Sequence, residues 1–378
     1  MSIEWFKRVY VYTKPFILMI LLQASYAVYG LVVKSALNKG LNHYSFSVYR
    51  NAYAALFLGP FAFFLERNVR PKMTTSIFLK IMLLGLLGPV IDQNLFFAGL
   101  DLTTTTFAMA MRNIVPAITF VMAWIFRLET VKMKSLHSQG KIIGTLVTVG
   151  GGMIMTLIRG PSIQLPWTNH HTLHHQTSVN STASTKDQIK GSLMITAGCF
   201  SWASFVIVQA LTLKCYPAEL SLTTLLCMIG ALEGAVLAVV AERANASIWS
   251  INWDIKLFAT IYSGIMCSGC AYSISGIVMR ERGPVFVTAF NPLGMVFMAI
   301  LGSSILGEKL NLGSVLGAVL IVVGLYVVLW GKNKDQNLQD QESSIDPQHS
   351  DGMKKLMLKH KHNVVESSEE KCSNHESV

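Results

Sequence analysis

The chain has 378 residues, of which 52% are hydrophobic and only 14% charged, with a formal net charge of +10. A soluble domain carries about 25% charged residues, so this chain is not built to face water on all sides. Its basic residues fall between apolar runs, where they act as topology signals, and this argues against nucleic-acid binding.

In chain order, apolar runs long enough to cross a bilayer as helices fall at roughly 15–34, 46–65, 77–98, 105–126, 140–158, 191–213, 218–241, 255–279, 284–306 and 312–331. The first begins near Phe16, is as long as a full span and lacks a small-residue cleavage site, so it reads as a retained helix, not a signal peptide. Arg50 lies one turn inside the second run, close enough to the outer interface to snorkel, which favours a structural role. The third and fourth runs form a tight hairpin around Asp101 and Thr103, with Asp92 about ten residues before the turn and Arg112 about ten after it. In an antiparallel pair these charges reach similar depth, in the outer half of the membrane. They read either as Arg112 attracting a substrate carboxylate with Asp92 tuning it, or as a buried ion pair that pins the hairpin. The two readings are compatible if substrate competes for Arg112.

The same two runs carry the amides Gln93, Asn94 and Asn113 and the prolines Pro89 and Pro116, and the ninth run adds Asn291 and Pro292. Each proline frees a backbone carbonyl in its helix. Locally broken helices around a cavity are expected, with Pro89, Pro116 and Pro292 as hinges, although prolines and amides also serve packing. Glu233 in the seventh run has no obvious local partner. It reads as a proton-coupling carboxylate or as a glutamate held by hydroxyls of a neighbouring helix.

Of the six cysteines, Cys199, Cys227, Cys267 and Cys270 fall inside runs, whereas Cys215 and Cys372 do not, and no disulfide framework is expected. The Cys267-Ser268-Gly269-Cys270 stretch is a small-residue packing element inside an apolar span. His170, His171, His174 and His175 cluster between the fifth and sixth runs, where a solvated loop is a simpler reading than a metal-gathering tract. No nucleophile–base constellation, phosphate loop or metalloprotease helix occurs, so neither catalysis, a metal site nor a cofactor is expected.

The fifth and tenth runs share a glycine spacing: Gly140, Gly144 and Gly151 match Gly313, Gly317 and Gly324, four and then seven apart. Such spacings let helices approach closely, within the bundle or across a dimer. Each set follows a boundary glutamate, Glu129 or Glu308, and a mid-span Asn with Pro. The chain therefore reads as a duplicated unit of five spans. An odd number forces the second copy to enter the bilayer from the opposite side. The expected organisation is a cytosolic N-terminus (1–14), a first repeat (15–158), a polar extracytosolic linker (159–190), a second repeat (191–331) and a disordered cytosolic tail (332–378). With the N-terminus inside, inner segments hold fourteen Lys and Arg against eight in outer ones, which favours both termini in the cytosol. The sequons at Asn180 and Asn245 then fall outside, as glycosylation candidates.

Several stretches together carry a resemblance. They are Asp92-Gln93-Asn94-Leu95-Phe96-Phe97-Ala98-Gly99-Leu100, the run from Asn113 to Glu129, Pro217-Ala218-Glu219-Leu220-Ser221-Leu222-Thr223, and the run from Arg282 to Leu293. Over roughly residues 10–334 the chain resembles the plant EamA-domain permeases of the drug/metabolite transporter superfamily, the nodulin-like, "walls are thin"-related group also called UMAMIT. The resemblance implies an all-α polytopic fold of ten transmembrane helices in two inverted five-helix repeats. It also implies movement of amino acids, and in some members auxin or related compounds, across the plasma membrane or the vacuolar membrane, by facilitators or exporters. Arg112 departs from the small uncharged residue expected in most relatives, which leaves the particular substrate open, whereas Glu233 resembles a glutamate that many relatives carry.

The expectation is a secondary transporter in the plasma membrane, with the vacuolar membrane as the alternative. Its partners are the lipid bilayer, a small-molecule substrate and, in one arrangement, a second copy as a homodimer. Gln93, Asn94, Arg112, Asn113, Glu233 and Asn291 are the candidate lining of a cavity that opens alternately to each side. A divalent-metal transporter is a competitor suggested by the histidines, weakened by the few carboxylates and absence of histidine in the spans. A receptor or scaffold that moves nothing leaves the repeat and the polar mid-span residues unexplained.

Overall fold

The structure is a computed structural model and describes residues 2–67, 69–103, 105–129, 135–158, 161–163, 185–242, 249, 254–305 and 310–344. Hydrocarbon offers no partner to a backbone N–H or C=O, so long apolar runs close their hydrogen bonds internally as helices. The first repeat contains α1 (Ser2–Asn38), α2 (His43–Leu65), α3 (Thr75–Gly85), α4 (Gln93–Leu102), α5 (Thr105–Arg112), α6 (Val115–Ile125) and α7 (Leu136–Leu157). The second contains α8 (Thr185–Cys215), α9 (Glu219–Ala241), α10 (Ile255–Tyr262), α11 (Ala271–Arg282), α12 (Pro284–Ala289), α13 (Asn291–Ile305) and α14 (Leu312–Ser344).

Nine described segments have the length and hydropathy to cross a bilayer. The remaining expected span is α2, whose 23 residues reach about 35 Å against a hydrocarbon core of about 30 Å. Arg50 and Asn51 lower its hydropathy. Asn42 caps α2 by accepting from the Tyr44 and Ser45 backbone N–H groups at 2.8 and 3.4 Å.

Corresponding spans of the two repeats run antiparallel, as inversion demands. At one end of the α2–α9 pair, Asn42 donates to Glu242 at 2.7 Å. At the other, the Glu66 carboxylate accepts from the Leu220 and Ser221 backbone N–H groups at 3.0 and 2.7 Å, which also satisfies the first turn of α9. The α7–α14 pair is likewise antiparallel, with Gly144 against Gly324 and Gly151 against Gly317. Both chain ends leave on one face: Arg282 lies 5.8 Å from the Phe16 ring, and Lys332 donates to the Arg282 carbonyl at 2.7 Å.

The helix interruptions also come in matched pairs. The third span passes through a π-helical segment at Leu86–Asp92, which contains Pro89, and the eighth through another at Ser263–Cys270. The fourth span breaks at residues 113–114 ahead of Pro116, and the ninth at Phe290 ahead of Pro292. The first π segment follows from the missing proline N–H. The second contains no proline and was not legible in the sequence. Its glycines let neighbours in: a Cβ at Gly264 would lie 2.7 Å from the Arg50 carbonyl oxygen. The five described cysteines are free.

The duplicated glycines form the seam between α7 and α14. A Cβ at Gly144 would sit 2.8 Å from the Gly324 carbonyl oxygen, and one at Gly317 2.6 Å from that of Gly151. Backbone thus meets backbone, and these glycines are used inside the bundle.

Three details differ from expectation. Helix α14 runs thirteen residues past the expected repeat boundary at 331, to Ser344, because Lys, Gln, Asp and Glu prolong an established helix at little cost. Helix α8 starts at Thr185, inside the expected linker, with Asp187 in its first turn. The helical architecture also carries a two-residue ladder, β1 (Ser162–Ile163) antiparallel to β2 (Leu310–Asn311). Glu308, Asn180, Asn245, the four linker histidines and the tail from 345 lie outside the described residues.

The seam makes a direct prediction. Gly144→Ala should cost about 1–3 kcal/mol by overpacking, whereas Gly150→Ala, where a Cβ meets nothing within 4 Å, should be neutral or gain up to about 1 kcal/mol. Thermal unfolding in detergent checks this, and equal melting temperatures would refute the contact.

Candidate functional site

A narrow cavity of about 20 Å³ opens between α1 of the first repeat and α8, α11, α12 and α13 of the second. The rings of Tyr26, Trp202, Phe205 and Tyr272 form much of its wall, with Gln23, Gln209, Ser275, Thr288 and Asn291 as polar points. The ninth-span break places Asn291 at the start of α13 with its side chain toward α1, where Gln23 donates to its carbonyl oxygen at 3.4 Å. Burying an amide costs energy unless it is bonded, and here an amide of each repeat answers the other.

The other expected lining residues do not wall this cavity. Arg112 and Asp92 meet as anticipated from the hairpin register: Nη1 donates to Oδ1 at 3.0 Å and Nη2 to Oδ2 at 3.4 Å. The guanidinium lies 4.9 Å from the Phe96 ring and 5.9 Å from that of Trp202, so Trp202 stands between the ion pair and the cavity. Gln93 accepts from the Ser47 hydroxyl at 3.0 Å, and Ser47 also reaches the Pro89 carbonyl at 3.1 Å. Asn94 donates back to the Val90 carbonyl at 2.7 Å within its own span. Asn113 is buried in the fourth-span break against Gly152, with its amide nitrogen unbonded among the described residues. Glu233 faces Gly85 at the entrance to the first π segment, and its Oε2 is buried without a hydrogen bond among the described residues.

Arg50 corrects an expectation. It does not snorkel; only 6% of it is exposed. Helix α2 starts at His43, so Arg50 stands two turns in, and its side chain turns inward to Ser268 and Tyr29. Sequence reasoning also passed over Gln23 and Gln209, which the mid-span-amide criterion applied to Gln93 would have found. For the contacts of Tyr29 and Ser268 with Arg50 there was no local signal.

A second charged cluster closes the face from which both termini leave. Arg127 takes a left-handed conformation with φ 54°, and the Leu128 and Glu129 N–H groups return to the Ala123 carbonyl at 2.8 and 3.2 Å. This turn aims Glu129 at two lysines: Lys141 of α7 at 3.0 Å and Lys332 of α14 at 2.9 Å. Lys141 is 1% exposed, and the boundary glutamate is what permits its burial. Among the described residues, no group of three or more His, Cys, Asp or Glu side chains is placed to hold a metal ion.

Two inverted five-span units around an aromatic, amide-studded cavity define a multi-pass membrane transporter. The model of the EamA-like transporter family matches residues 13–156 and 189–330, one match for each repeat, and the chain belongs to this family. WAT1-related protein At2g39510 of Arabidopsis thaliana is 53% identical over 323 residues, covering 85% of this chain and 86% of the relative. WAT1-related protein At2g37460 of the same plant is 51% identical over 338 residues, covering 88% of each. A solved crystal structure shares the fold with a TM-score of 0.62 at 15% identity, covering 85% of this chain and 97% of the other.

The ion pair generates a test. Arg112→Ala should destabilise the protein by on the order of 3–5 kcal/mol, because it strands a carboxylate that is nearly inaccessible. Asp92→Asn combined with Arg112→Gln should recover folding. Melting temperatures of the three proteins in detergent check this, and a double variant no better than Arg112→Ala would rule out pairing as the reason.

Proposed function

We propose that the protein is a secondary transporter of small organic metabolites, with amino acids as the first substrate class and auxin or related compounds as the second. The observation that carries this reading is the aromatic, amide-studded lining where α1 meets the second repeat. Its rings suit an apolar side chain or aromatic body, and the Gln23–Asn291 amides suit a polar head. The paired π segments and breaks are where such spans change shape, and they frame alternating access to the cavity. Pro89, Pro116 and Pro292 are the proposed hinges. The Asp92–Arg112 pair borders the cavity through Trp202 and sets its field.

The proposed location is the plasma membrane, with both termini in the cytosol. Support comes from the common face of the chain ends and from the lysines and arginines gathered there. The proposed boundaries are those of the two repeats, with the linker outside and the tail inside.

Glu233 is the proposed proton-coupling carboxylate. A buried carboxylate oxygen without a hydrogen bond, set where a helix changes its winding, is suited to exchanging a proton with the conformational change.

Labelled amino acids should enter proteoliposomes containing the protein faster than empty vesicles, and a panel without any transported compound would sink the reading. A pH gradient should alter the rate in the wild type, and Glu233→Gln should abolish that response while leaving exchange without a gradient. Retained pH dependence would remove Glu233 from coupling.

A further inference from the structure

The middle of the bundle holds two guanidiniums, Arg50 and Arg112, and two carboxylates, Asp92 and Glu233, and among the described residues neither carboxylate is salt-bridged to Arg50. Asp92 is held by Arg112 at two points. Arg50 has only neutral partners: Nε donates to the Ser268 hydroxyl at 2.7 Å, Nη1 to the Tyr29 hydroxyl at 3.1 Å, and the Tyr29 ring lies 5.2 Å away. Among the described residues Arg50 forms no ion pair, and its Nη2 has no hydrogen-bond partner. A guanidinium is never neutralised by losing its proton under ordinary conditions, so this buried charge calls for an anion.

The place is mid-membrane. At 1.5 Å per residue, Arg50, Tyr29 and Asp92 lie about 10–15 Å inside the outer ends of α2, α1 and α4. It is also where the two repeats meet, because Arg50 and Tyr29 belong to the first and Ser268 to the second. The inverted symmetry makes the vacancy specific. The first π segment ends on Asp92, whose carboxylate answers Arg112. Its counterpart, Ser263–Cys270, contains no acidic residue and offers Arg50 a hydroxyl.

We propose that Arg50, with the Tyr29 and Ser268 hydroxyls, anchors the carboxylate of the transported molecule. The inference rests on the transporter reading above and moves the anion site from Arg112, which Asp92 occupies, to Arg50. Tyr26 and Tyr272, which line the cavity, lie within electrostatic reach of this guanidinium, as does Asp92, which is hydrogen-bonded to Arg112 and not to Arg50. A carboxylate held there directs the rest of the molecule toward Trp202 and the Gln23–Asn291 amides. Arg50 is then a specificity-determining residue: the site takes carboxylates, free or zwitterionic, and rejects the same skeleton with that group made neutral.

The test compares acids with their amides on the purified full-length protein. Binding of L-phenylalanine, L-phenylalaninamide, phenylacetate and phenylacetamide is followed by microcalorimetry at constant chloride. The wild type should bind at least one acid more tightly than its amide by roughly tenfold or more, the range of a hydrogen bond to a charged group. Arg50→Gln should erase that preference while amide binding persists. Arg50→Lys should keep part of it, since an ammonium still pairs but without the guanidinium fork. A purely structural Arg50 would lower the melting temperature and leave the acid-to-amide ratio unchanged, which overturns the proposal. So does a wild type that binds neither acid or binds acid and amide alike. If Arg50→Gln does not fold, Ser268→Ala decides: it should weaken acid binding selectively, and an unaltered ratio counts against the anchor. A wild type that carries amino acids into proteoliposomes yet does not discriminate acid from amide loses this inference and keeps the transporter reading. One that carries nothing loses the latter.

Discussion

A charge in hydrocarbon must find an opposite charge or a set of dipoles, and this requirement organises the protein more than any other. Lys141 is buried because Glu129 meets it, and the same glutamate holds Lys332. Arg112 is retained near the cavity because Asp92 answers it and two rings cover it. Arg50 stands on hydroxyls and a ring alone. These solutions lie at different depths and serve different ends. The glutamate cluster ties the helices together at one face, the ion pair fixes a hairpin, and the lone guanidinium is left for something that comes and goes.

The inverted repeat gives each of these devices an address. Paired π segments and paired breaks put non-ideal backbone at corresponding places in the two repeats, inside the bundle, where such backbone is tolerated in a membrane. Small differences between matched positions then carry chemistry. Asp92 closes one π segment, and its counterpart ends on Cys270 without an acid. The family relationship establishes the duplicated architecture, and the proposed carboxylate anchor rests on a departure from symmetry within it.

Much of this was legible in the sequence for reasons of length and spacing. Span count follows from apolar runs, the seam from glycines repeated at one interval, and the Asp92–Arg112 contact from equal distances to one turn. What stayed hidden depends on contacts distant in sequence or on small shifts in where a helix begins. Asn42 starts α2 three residues earlier than its hydropathy suggests, which carries Arg50 a turn deeper and out of reach of the interface. The second π segment has no proline to announce it. The cavity wall comes largely from α8 and α11, whose aromatic residues look like ordinary span filler until the fold brings them to face α1. Gln93 and Asn94 satisfied the criterion for lining residues and turned out to bond within the first repeat.

The joint between α7 and α14 has a consequence for how the molecule can move. Glycine backbones touch along several turns, and the Glu129 cluster rivets one end of the pair. One helix of this pair belongs to each repeat. Two intact halves therefore cannot part like the shells of a clam. In the proposed alternating access the joint serves as a keel, and the moving parts are drawn from the other eight spans.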